Sequence, residues 1–306
     1  MSASTRIGVV FNPSKGAPDK LEKALESVDA AVTWHETDPD DPGVAAARAA
    51  IEAGAELVLA AGGDGTVRAV AAHLAESGAD VDLGVVPLGT GNLLARNLEV
   101  PLGDVAAAVE RAVTAEPRTI DVGWADTGQA RYAFVVMAGF GIDAHMLTET
   151  DDDLKDRAGW VAYVEALGRA VSASEVIDVR LTADDGESRD ASAHTLIVGN
   201  CGTLQGGFTL LPDADPSDGE LDLLLLDADG VGGWMDTLRN VVWDNGIARA
   251  FGRGADAQSS DSVTHRRVRS LSLELAEPRV VEVDGDDVGE TTSLEITLQP
   301  GALRVR

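Results

Sequence analysis

The sequence predicts an α/β unit followed by a β-rich unit, and three observations carry that prediction. Over the first 115 residues, short and nearly continuous apolar runs alternate with Ala-rich stretches, as in βα units built on a parallel sheet covered on both faces. Beyond Pro117 several runs alternate apolar with polar residues, as in Ser270–Leu275, the mark of a sheet with one solvated face. The turns of this second half carry Asp and Gly: Asp184-Asp185-Gly186, Asp218-Gly219 and Asp284-Gly285. The boundary is expected near 118–130 and is set between residues 125 and 126.

Taken in order, Ile7–Phe11 is an apolar run that predicts a buried strand. Pro18–Val28 and Pro42–Ala53 predict helices, each entered through a Pro near its first turn, with a short strand at Val32–His35 between them. Leu57–Ala61 predicts a strand, Val67–Glu76 a helix, Leu83–Pro87 a strand, and helical segments continue to about Val113. In the second half, strands are expected at Thr119–Trp124, Tyr132–Ala138, Val176–Thr182, His194–Gly199, Glu220–Leu226, Val268–Leu275, Val280–Val283 and Leu294–Leu298. Helical insertions are expected at about Asp156–Val171 and Val231–Phe251.

Composition narrows the function classes. The 306 residues include 52 acidic and 24 basic ones, for a formal net charge of -28. Such a chain repels phosphates at long range, so a broad nucleic-acid footprint is not expected, and an anionic membrane surface repels it too. The acidity reads as compositional drift toward Ala, Asp, Gly and Arg rather than as salt adaptation. A bound phosphate must be held locally, by backbone amides and a metal. One cysteine, Cys201, provides neither an intramolecular disulfide nor a Cys-rich metal site. No apolar run approaches the ~18 residues of a membrane span, and the amino terminus lacks a secretory pattern. A cytoplasmic protein is therefore expected, with a peripheral place at the membrane as one option.

The strongest local signal is Gly62-Gly63-Asp64-Gly65-Thr66, where a buried strand ends and a helix begins. Its glycines allow close backbone approach, and the helix start offers free N–H groups to an anion. Asp64 is the only charge in this turn, and beside a phosphate it calls for Mg²⁺ or a fixed hydroxyl. Pro87-Leu88-Gly89-Thr90-Gly91-Asn92 ends the next apolar run in the same way, and Asn12-Pro13-Ser14-Lys15-Gly16 follows the first. Three such loops fall at one carboxyl edge of the sheet, where open α/β sheets bind ligands. A Walker A loop is absent, and no dinucleotide fingerprint follows the first strand.

These motifs resemble those of the diacylglycerol kinase catalytic family, which includes sphingosine and ceramide kinases. The likeness continues through Gly139-Phe140-Gly141-Ile142-Asp143-Ala144, Gly199-Asn200 with Gly206-Gly207, Pro212 to Asp222, and Val283-Asp284-Gly285-Asp286. It implies an amino-terminal α/β domain that binds ATP, a carboxyl-terminal antiparallel, β-sandwich-like domain that carries the acceptor, and an active site in the cleft between them. Matched by position, Asn12, Pro13, Ser14, Lys15, Gly16, Thr37, Ala61, Gly62, Gly63, Asp64, Gly65, Thr66, Val67, Gly89, Thr90 and Asn92 would line the nucleotide. A structural magnesium would be held by the Asp218 carboxylate and the carbonyls of Asp215 and Glu220, and oxygens on a tight Asp-Gly turn suit a hard cation. Asp286 stands where the family carries its general base, normally a Glu.

Two further departures from the family stand out: Arg68 and Ala69 stand where Asn-Glu is common, and Leu93 where Asp often follows the Asn of the second turn. His35, His73, His145, His194 and His265 lack metal-ligand spacing. Asp143 is a polar residue on the cleft side, and Cys201 reads as a small packing residue. The stripe Trp234, Met235, Leu238, Val241 and Val242 has helical spacing and reads as core, with lipid contact as its functional alternative. The expected activity is ATP-dependent phosphorylation of a lipid alcohol, diacylglycerol first, with Asp64 helping to hold Mg²⁺ and Asp286 taking the proton. The alternatives are a sphingoid-base or other lipid kinase, an NAD kinase, or a non-catalytic nucleotide- or lipid-binding regulator. Expected partners are ATP, a lipid acceptor, transiently a membrane surface and, as one option, a second copy of the chain.

Overall fold

The computed structural model describes residues 5–15, 18–141, 176–184, 186–205, 209–227 and 263–306. Gly16, Asp143, His145, Gly206-Gly207, both predicted helical insertions and the Trp234 stripe lie outside them.

The first half is built as β1 (Thr5–Phe11), α1 (Pro18–Leu25), β2 (Ala30–Glu36), α2 (Val44–Glu52), β3 (Leu57–Gly62), α3 (Asp64–Ser77), β4 (Asp82–Pro87), α4 (Leu93–Asn97) and α5 (Val105–Thr114). The strands lie in the order β2-β1-β3-β4, and each neighbouring pair is parallel. Every residue of β3 and β4 is buried, which is why these strands read as unbroken apolar runs. α2 and α3 pack together against β1 and β3, while α5 packs on β4 and against α1. Ala46, Ala47 and Ala50 fill the buried face of α2, so the Ala-rich stretches put helix close to sheet. α3 begins three residues earlier than its apolar pattern indicates. Gly63 is its N-cap, so Asp64, Gly65 and Thr66 form its first turn.

The second half contributes β5 (Arg118–Asp126), β6 (Arg131–Phe134), β7 (Met137–Phe140), β8 (Ile177–Ala183), β9 (Arg189–Gly199), β10 (Leu221–Asp227), β11 (Val263–Val268), β12 (Ser270–Val283) and β13 (Asp286–Val305). Its pairings with one another are antiparallel. The run expected as one strand at 132–138 is two strands, β6 and β7. Between them the N–H groups of Val135 and Val136 turn away from strand partners to the carboxylate of Asp284. β13 is far longer than its apolar segment at 294–298. It is flanked by β12 and β5, so ladder hydrogen bonds on both sides sustain a largely polar strand.

β13 also joins the two halves. Its start pairs with β12, and its end lies parallel to β4 at Asp82 and Leu83. Leu303 and Val305 therefore sit in the core of the α/β half, together with Ile120 and Val122 of β5. A second core gathers β7 to β10 and β12 around Leu181, Leu196, Leu223 and Leu273. The end of β13 is tied by charge as well. The buried Asp82 carboxylate accepts from Arg304 Nε at 2.6 Å and from Arg306 Nε at 2.5 Å.

The β12–β13 hairpin turns on two residues, with Val283 opposite Asp286. Asp284 (φ 51°) and Gly285 (φ 86°) both have positive φ, as an Asp-Gly turn of type I′ requires. The Asp284 carboxylate is buried and accepts the N–H groups of Val135, Val136 and Met137 at 2.8–2.9 Å. Burial pushes its pKa up to about 6, with the three N–H groups and Arg68 acting in the opposite direction.

Two stability predictions follow from these anchors. Asp82→Asn leaves two arginines with a neutral partner and should cost about 2 kcal/mol in chemical denaturation. The raised pKa of Asp284 means that the folded state retains a proton which the unfolded chain releases near pH 4. Its contribution is therefore complete below that pH and is lost as pH rises through about 6. Denaturation curves from pH 4.5 to 7.5 should show Asp284→Asn flattening this decline.

Candidate active site

The site assembles where β1, β3 and β4 end. Leu88 N–H donates to Gly62 O at 2.8 Å, and Asn12 N–H to Ala61 O at 3.1 Å, so the three loops are tied to one another. The two glycine turns meet backbone to backbone: a Cβ on Gly89 would stand 2.7 Å from the Gly63 Cα. Asn92 adopts the left-handed region (φ 49°). Its amide spans Gly89, accepting from the N–H at 3.0 Å and donating to the carbonyl at 2.6 Å.

Asp64 locks this junction. Its carboxylate accepts the N–H groups of Asn92 at 2.8 Å and Leu93 at 2.5 Å, so it reaches across to the start of α4. A Cβ on Gly91 would lie 2.6 Å from Asp64 Oδ2, which explains the glycine. Burial raises the pKa of Asp64; the N–H groups of Leu93 and Asn92 counter this, and the charge of Asp286 adds to it. Gly63 supplies no side-chain cap to α3, and a helix start of this kind offers N–H groups to an anion.

The other predicted nucleotide residues that the structure describes stand in the loops after β1 and β4, at the start of α3 or at the ends of β2 and β3; Gly16 lies outside the described residues. Asn12 Oδ1 accepts from Ser14 N–H at 3.0 Å and Ser14 Oγ at 2.7 Å, shaping the first loop. Pro13, Ser14, Lys15 and Thr90 are exposed. The Lys15 stem crosses the second loop, with Cε 3.8 Å from where a Gly63 Cβ would be. Thr37 is buried and follows β2, with its N–H on Phe11 O. Ala61, Thr66 and Val67 are buried, so at Ala61 and Val67 only backbone can face a ligand.

The opposite wall comes from the hairpin. Asp286 leaves it toward α3, where a Cβ on Gly65 would stand 3.5 Å from Asp286 Oδ2. Arg68 Nη2 donates to the same oxygen at 2.7 Å, and its Nη1 to Val283 O at 3.3 Å. Beside the hairpin, Leu93, Met137, Phe140, Ile197, Leu204 and Leu210 line an apolar cavity with Glu282 and Gly285 at its wall. Leu93, where the family often has Asp, thus contributes to an apolar surface.

The predicted magnesium loop has a different set of partners. Asp218 Oδ1 accepts the Glu220 N–H at 3.0 Å, and Asp215 O accepts the Asp218 N–H at 3.3 Å. Asp218 and Glu220 each lie 3.5 Å from Arg267 Nη1. Among the described residues no group of three or more His, Cys, Asp or Glu side chains is arranged to hold a metal. A hard cation nevertheless fits the chemistry of the loop. Asp222 is buried, and its Oδ2 has no hydrogen-bond partner. Burial pushes its pKa up to about 6; Arg267 opposes the shift, and Asp218, Asp213 and Glu220 add to it.

Sequence reasoning missed Asp121. This buried residue accepts the N–H of Gly219 at 2.8 Å and of Gly301 at 2.6 Å, holding the Asp-Gly loop to β13. Asn200 Nδ2 then donates to Asp121 O at 3.0 Å and Val135 O at 3.2 Å, which connects that loop to the segment gripping Asp284. The available signal was an Asp inside the apolar run Thr119–Trp124. Cys201 is fully buried, and burial raises its thiol pKa, so it packs rather than reacts.

Comparison with known proteins places the two halves of the chain in a family. Residues 6–125 match the diacylglycerol kinase catalytic domain, and residues 135–306 match the YegS C-terminal NAD kinase beta sandwich-like domain. "Probable lipid kinase YegS-like" of Pseudomonas aeruginosa is 33% identical over 84% of this chain and 78% of its own length. A diacylglycerol kinase of Staphylococcus epidermidis is 29% identical over 96% of this chain and 90% of its own. The crystal structure of a diacylglycerol kinase from Bacillus anthracis superposes with a TM-score of 0.67 at 21% identity, covering 100% of this chain and 97% of that one, and so shares the two-domain fold. Matched across both halves, the chain belongs to the diacylglycerol kinase catalytic family and is an ATP-dependent lipid kinase.

Proposed function

We propose that the chain transfers the γ-phosphoryl of ATP to the hydroxyl of diacylglycerol, in the cleft between its two halves. One observation carries this reading: the hairpin sets the Asp286 carboxylate against the start of α3, where the phosphate turns meet. The apolar cavity beside Gly285 supports a lipid acceptor over a dinucleotide.

The glycine turns present backbone N–H groups to the phosphates, and Lys15 adds a cation above them. The acceptor hydroxyl gives its proton to Asp286 as its oxygen bonds the γ-phosphorus in line; the bond from that phosphorus to the β-phosphate bridging oxygen breaks, and ADP leaves. Positioning and neutralisation do most of this work. Asp64 serves first by closing the two turns on each other, and each of its oxygens retains a lone pair for a metal. Mg²⁺ would be held there and, structurally, at Asp215, Asp218 and Glu220 with Asp222 behind them, supplying positive charge that neutralises phosphate oxygens.

Steady-state kinetics with ATP and a panel of dispersed lipids test the reading. Asp286→Asn should lower kcat by ~10²–10⁴-fold with little change in the KM for ATP. Asp64→Asn turns an amide donor toward a backbone N–H, so a loss above ~10² in kcat should be accompanied by weaker ATP binding. A folded Asp64→Asn or Asp286→Asn protein with normal turnover would remove that residue from the mechanism. ATP binding without turnover on any lipid would favour a regulator. Thermal melts without nucleotide address the loop: Mg²⁺ should raise the Tm of the wild type and not of Asp218→Ala.

A further inference from the structure

We infer that Arg68 is a positioning residue for Asp286, an inference that rests on the reading of Asp286 as proton acceptor. Arg68 lies four residues after Asp64 on α3, on the same helix face. Its guanidinium grips the hairpin on both sides of the two-residue turn. One nitrogen donates to the carbonyl of Val283 before the turn, the other to the carboxylate of Asp286 after it. A fork of this kind is specific to arginine, since lysine ends in a single nitrogen.

An exposed ion pair of this kind would ordinarily contribute little. Here the two partners are unequal: the Arg68 side chain is 17% exposed, whereas that of Asp286 is 51% exposed. The arginine is packed and doubly bonded, while the carboxylate hangs from a turn with half its surface open. Asp284 grips the turn from the β-rich side through Val135, Val136 and Met137, but none of these bonds limits the freedom of Asp286. Arg68 removes that freedom from the α/β side. Without it, the charge of Asp286, which acts on Asp64 across the start of α3, would lose its guanidinium partner, and Asp286 would swing toward water. Both hydrogen bonds of Arg68 among the described residues end on the hairpin, one of them on Asp286 itself.

Four variants are compared: Arg68→Ala, Arg68→Lys, Asp286→Asn, and Arg68→Ala combined with Asp286→Asn. Activity is measured with ATP and a short-chain diacylglycerol in detergent micelles. Misplacing a reacting group by about 1 Å costs up to ~10²-fold, so Arg68→Ala should lower kcat by about 10- to 100-fold. The KM for ATP should stay within about twofold, and Arg68→Lys should recover part of the loss. The double variant should match Asp286→Asn alone, because two residues acting as one unit are not additive. Wild-type kcat in Arg68→Ala beside an impaired Asp286→Asn overturns the positioning role and leaves the base standing. Wild-type kcat in Asp286→Asn overturns the base itself, and the positioning role with it. Hydrogen exchange over residues 283–290 needs no acceptor. Arg68→Ala should speed exchange there while its Tm stays near that of the wild type, and unchanged protection would overturn the inference.

Discussion

The buried carboxylate of Asp284 holds this molecule's site together. It gathers three consecutive N–H groups, those of Val135, Val136 and Met137, that would otherwise be unpaired inside the protein. Each would cost a kcal/mol or more if left unmade. That demand breaks what would be one strand into β6 and β7. It also locks a positive-φ turn whose far side carries Asp286. Burying a carboxylate is unfavourable, as its raised pKa shows, and the cluster of donors is what makes it tolerable. The position of the proposed base is thus a by-product of satisfying a backbone.

The same logic recurs around the site. Asp64 pairs with Asn92 and Leu93, Asp121 with Gly219 and Gly301, and Asn92 with Gly89. Asp64 and Asp121 supply acceptors to N–H groups on a different segment, and Asn92 does so within its own turn. Asp121, Asn200, Val135 and Asp284 form a connected series from the Asp-Gly loop of 215–220 to the hairpin. A chain with a net charge of -28 thereby spends acidic residues on internal scaffolding. Backbone dipoles and a few cations, Lys15 and Arg68 among them, are left around the proposed phosphate site and the proposed base. Local donors outweigh the repulsive long-range field, because that field is screened within about 10 Å at ordinary ionic strength.

Much of the fold was legible because its signals are local. Buried strands such as β3 and β4 announce themselves as apolar runs, and Asp-Gly marks the hairpin turn. The start of α3 was misread by three residues because glycines mask a helix that Gly63 caps. The extent of β13 was hidden because pairing on both flanks, not apolar content, sustains it. Its return to β4 was hidden too, since nothing near Arg304 names Asp82 as a partner.

The sequence by itself determined the kinds of chemistry available: two Gly-rich turns and a third loop at strand ends, an isolated Asp in one of the turns, an Asp-Gly hairpin, and the order that marks a lipid kinase. Those are properties of a few adjacent residues, written in turn preferences and periodicity. Only the tertiary structure decided which groups meet. Arg68 and Asp286 are 218 positions apart, and Asp64 closes onto a turn 28 residues away. Such encounters depend on strand register and helix packing summed over the whole chain. A one-residue slip in β12 against β13 would turn Asp286 to the opposite face of the sheet, and no pattern around Asp286 reveals which face looks toward α3.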